Sequence, residues 1–160
     1  MTIQVGDKLP QITVSTMTEE GPKPVSMEEL CAGKKVVLFA VPGAFTPTCS
    51  VQHLPGFVTN AGNLKEKGVD VVACISVNDP FVMGAWGKDR SAGEEVMLLA
   101  DGNAEFTTAV GLEMDGSGFG LGKRSQRYAM IIDDGVVSTL NVESGPGVDV
   151  SSAETILAAL

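Results

Sequence analysis

Three apolar runs decide what this chain can become. Val36–Val41, Val69–Val77 and Val96–Ala100 are too short to span a bilayer, and a helix-start signal follows each within a few residues. The middle run is apolar almost throughout, the signature of a strand buried on both faces. Strands of this kind alternating with helices predict an α/β class. Thr46-Pro47 opens the first helix after such a strand. Threonine suits the cap, and proline at the next position has no N–H to waste and a φ already set for the first turn. The pattern predicts that this helix runs to about Asn60 with a kink at Pro55, then resumes from Leu64 to Lys67 and stops at Gly68. Asn78-Asp79-Pro80 starts another helix, from Phe81 to about Arg90, and Asp101-Gly102-Asn103 caps a third from Ala104 to Gly111.

The flanking segments complete a mixed sheet. Gln11–Thr16 alternates and is β-branched, so it reads as a strand, and Glu19–Pro24 reads as turn material. Ser26 and Glu29 form the capping-box pattern of a short helix that Gly33 ends. Residues 113–126 carry alternating glycines. Leu121 breaks the dinucleotide-binding glycine pattern and the acidic ligands of a calcium loop are missing, so the segment reads as a flexible surface loop. Arg127–Ile132 and Val136–Val142 are strands joined by the hairpin signal Asp133-Asp134-Gly135, and Ser151–Glu154 is a second capping box opening a last helix, Thr155–Leu160. With no repeat and no linker, residues 1–160 are expected to form one domain with a mixed central sheet flanked by helices.

Charge and cysteine usage narrow the chemistry. A formal net charge of −9 argues against nucleic-acid and anionic-membrane partners. The first residues have neither the basic nor the apolar region of a signal peptide, so the expected location is cytoplasmic. Cys31, Cys49 and Cys74 are odd in number and lack CxxC spacing, which fits neither a disulfide framework nor a zinc site. His53 is the only histidine, so a multi-histidine metal site is excluded and no cofactor is expected. Any redox chemistry must be carried by the thiols themselves.

Cys49 falls in the first turn of the helix begun by Thr46-Pro47. Unsatisfied backbone N–H groups and the positive end of the helix dipole favour thiolate there, and the thiolate is the nucleophile. It can attack disulfides, acyl groups or peroxides. Cysteine-protease chemistry needs an oriented histidine base. His53 lies four residues on with no obvious orienting partner, and reads as a polar residue on an exposed helical face or a packing contact. CxxC-type exchange is excluded because residues 42–50 hold one cysteine. Peroxide reduction fits a single activated thiolate beside a threonine hydroxyl best.

Pro42-x-x-x-Thr46-x-x-Cys49 resembles the active-site signature of peroxiredoxins. The fuller string Pro42–Ser50, with His53-x-Pro55-Gly56-Phe57, Ser76–Val82, Leu99–Gly102 and Arg127-Tyr128, is similar to the type II (Prx5-like) branch over nearly the whole chain. The resemblance implies a thioredoxin-like fold and a thiol-dependent peroxidase reducing hydrogen peroxide and organic hydroperoxides. It implies Cys49 as the peroxidatic nucleophile, oxidised to a sulfenic acid, and Thr46 as the hydroxyl that holds thiolate and peroxide. Pro42 would shield the thiol from water. Arg127 would favour the thiolate and stabilise charge on the peroxide oxygens, with backbone N–H groups around Gly43 and Cys49 completing the substrate site. For resetting, the resemblance offers Cys74 as a resolving thiol or a one-cysteine cycle served by glutathione, glutaredoxin or thioredoxin; the C-terminal position where some relatives carry a resolving cysteine holds serine here. It also implies a homodimer, for which Phe45, Pro80 and Phe81 are candidate apolar contacts. The rival readings are a peroxide-sensing redox switch and a thiol-based interaction protein with little turnover.

Overall fold

A computed structural model describes all 160 residues. Strands β1 (Thr13–Thr18) and β2 (Gly21–Ser26) form a hairpin, followed by helix α1 (Met27–Cys31) and β3 (Lys35–Ala40). A helix beginning at Pro47 passes through a π-helical turn, Cys49–His53, into α2 (Leu54–Glu66). Then come β4 (Val71–Ser76), α3 (Pro80–Asp89), β5 (Met97–Ala100) and α4 (Glu105–Ala109). A small ribbon of β6 (Glu113–Asp115) and β7 (Lys123–Ser125) encloses a 3-10 turn, Ser117–Phe119. The chain closes with β8 (Tyr128–Asp133), β9 (Val136–Val142) and α5 (Ala153–Ala159).

Seven strands make one mixed sheet in the order β2-β1-β5-β4-β3-β8-β9. The three apolar runs, β3, β4 and β5, are its parallel centre, and the hairpins flank them antiparallel. Because successive side chains on a strand point to opposite faces, each central strand feeds two cores. Val37, Phe39, Cys74, Ala129 and Ile131 pack under α2, α3 and α5 on one face. Val36, Leu38, Ile75, Met130 and Ile132 pack against α1 and α4 on the other. No helix is long and apolar enough to cross a membrane.

Three local readings are corrected. The turn expected over Glu19–Pro24 is confined to Glu19 and Glu20, and Pro22 and Pro24 lie within β2. Proline donates nothing to a ladder, and β2 tolerates two of them because it is an edge strand. The glycine-rich stretch is an ordered ribbon, not a flexible loop, with Met114 paired to Arg124 and the Gly116 N–H bonded to the Gly122 carbonyl at 2.7 Å. The last helix is capped by Ser152, whose hydroxyl accepts from Thr155 N at 3.2 Å, so Ser151 is left for another task. Elsewhere the turn chemistry holds. Asp134 and Gly135, at φ +48° and +79°, make the two-residue hairpin loop that requires left-handed backbone twice.

Candidate active site

The site forms where β3 ends. Leaving the sheet after Ala40, the chain turns through Pro42 and Gly43 and re-enters helix at Pro47. Thr46 holds the cap position by its backbone, its carbonyl accepting from Ser50 N at 3.0 Å. Its hydroxyl donates back to the Gly43 carbonyl at 2.7 Å rather than capping a helix N–H, and its own lone pairs stay free. Phe45, between them, has φ +66° and a half-exposed ring, a strained geometry for a residue with a Cβ. Asn78 fixes the loop from below. Its Oδ1 accepts from Ala44 N at 3.0 Å and from the Ser76 hydroxyl at 2.6 Å, tying the loop to the end of β4.

The helix widens just before Pro55, where the sequence suggests a kink. Leu54 N donates to the Cys49 carbonyl, an i→i+5 bond, and the π turn ends one residue short of the proline. A proline inside a helix lacks its own bond and crowds the carbonyl four residues back, here Val51. Widening the preceding turn accommodates both. The extra residue in this turn brings Cys49 and His53 onto one side, where each meets Arg127.

Arg127 arrives from the sheet. β8 runs antiparallel beside β3 with Tyr128 opposite Ala40, so the preceding residue stands level with the end of β3. Its Nη2 donates to Cys49 Sγ at 3.1 Å and its Nη1 to His53 Nδ1 at 3.0 Å. All three side chains are buried, Arg127 retaining 7% exposure. The guanidinium thus sets a positive charge directly against the sulfur. His53 is therefore not on an exposed face. Its Nε2–H donates to the Ser151 carbonyl at 2.9 Å, and because an arginine can only donate, Nδ1 must be the acceptor. Burial, ahead of the Arg127 charge, pushes the His53 pKa down to about 4, so the ring is neutral at pH 7 and unable to act as a cationic partner. Its ring also packs beside the stacked pair Phe39 and Phe57, whose centroids are 4.0 Å apart.

The depressed His53 pKa has a consequence for stability. An unfolded histidine gains its proton near pH 6.5 whereas the folded one holds out to about 4, so the unfolded state binds more protons in between and stability falls as pH drops through that window. Between pH 7.5 and 4.5 the wild-type unfolding free energy is expected to drop about 2 to 3 kcal/mol further than that of His53→Gln, measured by denaturant unfolding. Parallel pH profiles for the two proteins would contradict a buried neutral ring.

Two residues near the site carried no sequence signal. Arg124, on β7, donates from Nη1 to the Pro42 carbonyl at 3.3 Å and from Nε to the Leu121 carbonyl at 3.0 Å. It crosses Gly43 so closely that a Cβ there would stand 2.7 Å from Nη1, so a side chain at that position would displace the guanidinium. Trp86 donates to the Ser50 hydroxyl at 2.9 Å and packs α3 onto the π turn. Only the pairing of β6 with β7 and the placement of α3, both tertiary facts, reveal these roles.

Cys74 lies on the same face of the sheet as Cys49, one strand over, opposite Phe39 on β3. It is fully buried. Burial pushes its thiol well above the ordinary range, and a charge on Cys49 pushes the same way, with Arg127 opposing weakly. Cys31 is buried in the opposite core, at the end of α1, its thiol raised by burial to about 11. Among buried side-chain nitrogen and oxygen atoms only the Tyr128 hydroxyl lacks a partner.

The chain resembles known proteins over nearly its whole length. Residues 4–157 match the Redoxin family model. The chain is 57% identical over 162 residues to Peroxiredoxin-2E, chloroplastic, of Arabidopsis thaliana, covering 99% of this chain and 69% of that protein. It is 53% identical to Peroxiredoxin-2B of the same plant, covering 99% and 98%. Among solved structures, reduced Prx3 in complex with H2O2 from Vibrio vulnificus superposes with a TM-score of 0.95 at 61% identity, over 99% of both chains.

Proposed function

The chain belongs to the type II peroxiredoxins and is a thiol-dependent peroxidase, and from that premise we propose that Cys49 is its peroxidatic cysteine. The observation that carries the assignment is the 3.1 Å contact from Arg127 Nη2 to a thiol buried at a helix start. In this reading the Cys49 thiolate attacks one peroxide oxygen. The O–O bond breaks, the departing oxygen leaves as hydroxide or alkoxide and takes a proton, and sulfur is left as a sulfenic acid. Two electrons pass from sulfur to the peroxide, which is reduced to water or an alcohol. Arg127, with one N–H on sulfur, has others to aim at the oxygens where charge develops. The free lone pairs on the Thr46 hydroxyl accept the peroxide's own O–H. Pro42 covers the thiol, and backbone N–H groups around Gly43 and Cys49 complete the substrate site. Hydrogen peroxide bound to the Vibrio relative supports a peroxide substrate.

The reductant in this reading is an external thiol, with glutathione and glutaredoxin favoured over thioredoxin. A thiol attacks the sulfenic sulfur, water leaves, and a second thiol resolves the mixed disulfide. The support is the state of Cys74, whose thiol is fully buried and held protonated. Cys49 itself is fully buried, so any reductant must wait for the turn that carries it to open. Cys74→Ser is therefore expected to leave turnover with glutathione and glutaredoxin within about twofold of wild type, a surface-sized change on the energy scale. A collapse of turnover on that substitution, with the fold intact, would make Cys74 the resolving thiol.

The same reading includes a homodimer and a cytoplasmic location. Phe45 beside the active-site loop and Phe81 at the start of α3 are both large, apolar and exposed, which supports an interface there. Three free cysteines fit a reducing compartment. The domain is taken as residues 1–160, which share one sheet with a core on each face.

A further inference from the structure

Behind Arg127 the hydrogen bonds close into a ring. His53 accepts from Arg127 on one side and donates to the Ser151 carbonyl on the other. Ser151 donates from its backbone N at 2.9 Å and its hydroxyl at 2.6 Å to one oxygen, Oε2, of Glu143. Asp149 N donates to the same oxygen at 2.7 Å. Glu143 in turn donates its backbone N–H to the carbonyl of Arg127 at 2.9 Å. One residue therefore reaches Arg127 twice, by its backbone directly and by its carboxylate through Ser151 and His53.

We propose that Glu143 is a remote positioning residue for the peroxidase reaction, aiming the Arg127 guanidinium at Cys49 through Ser151 and His53. The inference rests on the assignment of Cys49 and Arg127 given above. The carboxylate folds residues 149–151 into a tight turn, and that turn points the Ser151 carbonyl at His53 Nε2. The carbonyl decides the tautomer. With the proton held on Nε2, Nδ1 is a bare acceptor that draws Nη1 and leaves Nη2 facing sulfur. Without the turn, Nε2–H loses its buried acceptor. The other tautomer then sets an N–H against the Nη1–H of Arg127, two donors face each other, and the guanidinium is turned off the thiol. The carboxylate is held below the usual range: burial opposes its charge, but hydrogen bonds from Ser151, Asp149 and Val150 outweigh burial. It is thus charged at neutral pH. The backbone bond to Arg127 survives any change of the Glu143 side chain, so substitution isolates the path through Ser151 and His53.

The test is a double-mutant cycle read on the peroxide step by stopped-flow oxidation of the reduced enzyme. Glu143→Ala is expected to slow that step about tenfold, the scale of coupling inside one hydrogen-bond network. It is also expected to move half-maximal alkylation of Cys49 to higher pH. In an Arg127→Ala background the same substitution should change the rate less than about twofold, because the group it positions is gone. Ser151→Ala, which removes one of the bonds to Oε2, should shift both readouts in the same direction by less. A Glu143 residue serving folding alone would lower thermal stability and leave the alkylation profile in place. That outcome, or equal rate losses in the two backgrounds, overturns the proposal while the assignment of Arg127 stands. If Arg127→Ala alone leaves the peroxide step unchanged, the assignment of the site fails instead. Should Glu143→Ala not fold, Glu143→Gln keeps shape and one acceptor oxygen and enters the same cycle under the same criteria.

Discussion

Cys49→Ser is expected to abolish peroxide consumption with every thiol donor, glutathione with glutaredoxin and thioredoxin alike. Serine keeps the shape of the side chain and can accept the Arg127 N–H, so the fold and the buried guanidinium are preserved. What it cannot do is donate two electrons. Its oxygen is protonated at neutral pH, has no general base beside it because His53 Nδ1 is taken by Arg127, and has no accessible higher oxidation state. Neither remaining thiol substitutes for it, since Cys31 sits on the other face of the sheet and Cys74 is buried and protonated. Steady-state peroxide loss is the measurement, with circular dichroism to verify the fold. Turnover near the wild-type level would move the reaction to another residue. The same assay separates the peroxidase from a redox switch, because a switch oxidises once per chain and then stops without consuming further peroxide.

How much of this could be read from residues alone divides along a physical line. Features written in local chemistry were legible. The β3-to-helix junction followed from an apolar run, Pro42-Gly43 and Thr46-Pro47, and the β8–β9 hairpin from Asp134-Gly135. Features that depend on what lies across the fold were not. Pro22 and Pro24 read as a turn because nothing local says that β2 is an edge. The glycines of 116–122 read as a loop because a three-residue strand carries no period of its own. Ser151 reads as the cap because Glu154 stands three residues on, and only the Glu143 carboxylate, eight residues back, claims it and leaves the helix to Ser152. Of the two readings of His53, the packing contact holds and the exposed face does not, for an instructive reason. A lone polar residue at a spacing of four predicts a shared helical face, yet the face it shares here is the buried one, across a π turn that no periodicity announces. Arg127 itself stands at the head of a strand with nothing local to mark it, and the role assigned to it comes from resemblance, not from its own surroundings. The antiparallel register of Tyr128 against Ala40 supplies the physical reason afterwards.

Arg127→Ala is expected to slow the peroxide step by about 10²- to 10³-fold, the usual loss when one preorganised donor to a developing anion is removed. Two effects combine. The thiolate loses a buried cation 3.1 Å from sulfur, a loss that the pH profile of Cys49 alkylation reads directly. The departing peroxide oxygen loses its charged donor in a site screened from water, where such a donor counts for most. The substitution also leaves His53 Nδ1 without a donor in a buried setting, an expense of about 1 to 3 kcal/mol that should appear as lower thermal stability. Arg127→Lys separates charge from geometry. An ammonium keeps the positive charge, but it is a single point and cannot span Sγ and Nδ1 as the planar fork does. The lysine variant should therefore recover much of the alkylation profile while remaining well below wild type in the peroxide step. Full recovery of rate by lysine would reduce the role of Arg127 to charge alone. An alanine variant with unchanged rate and unchanged alkylation profile would remove Arg127 from the mechanism, however close it lies to the sulfur.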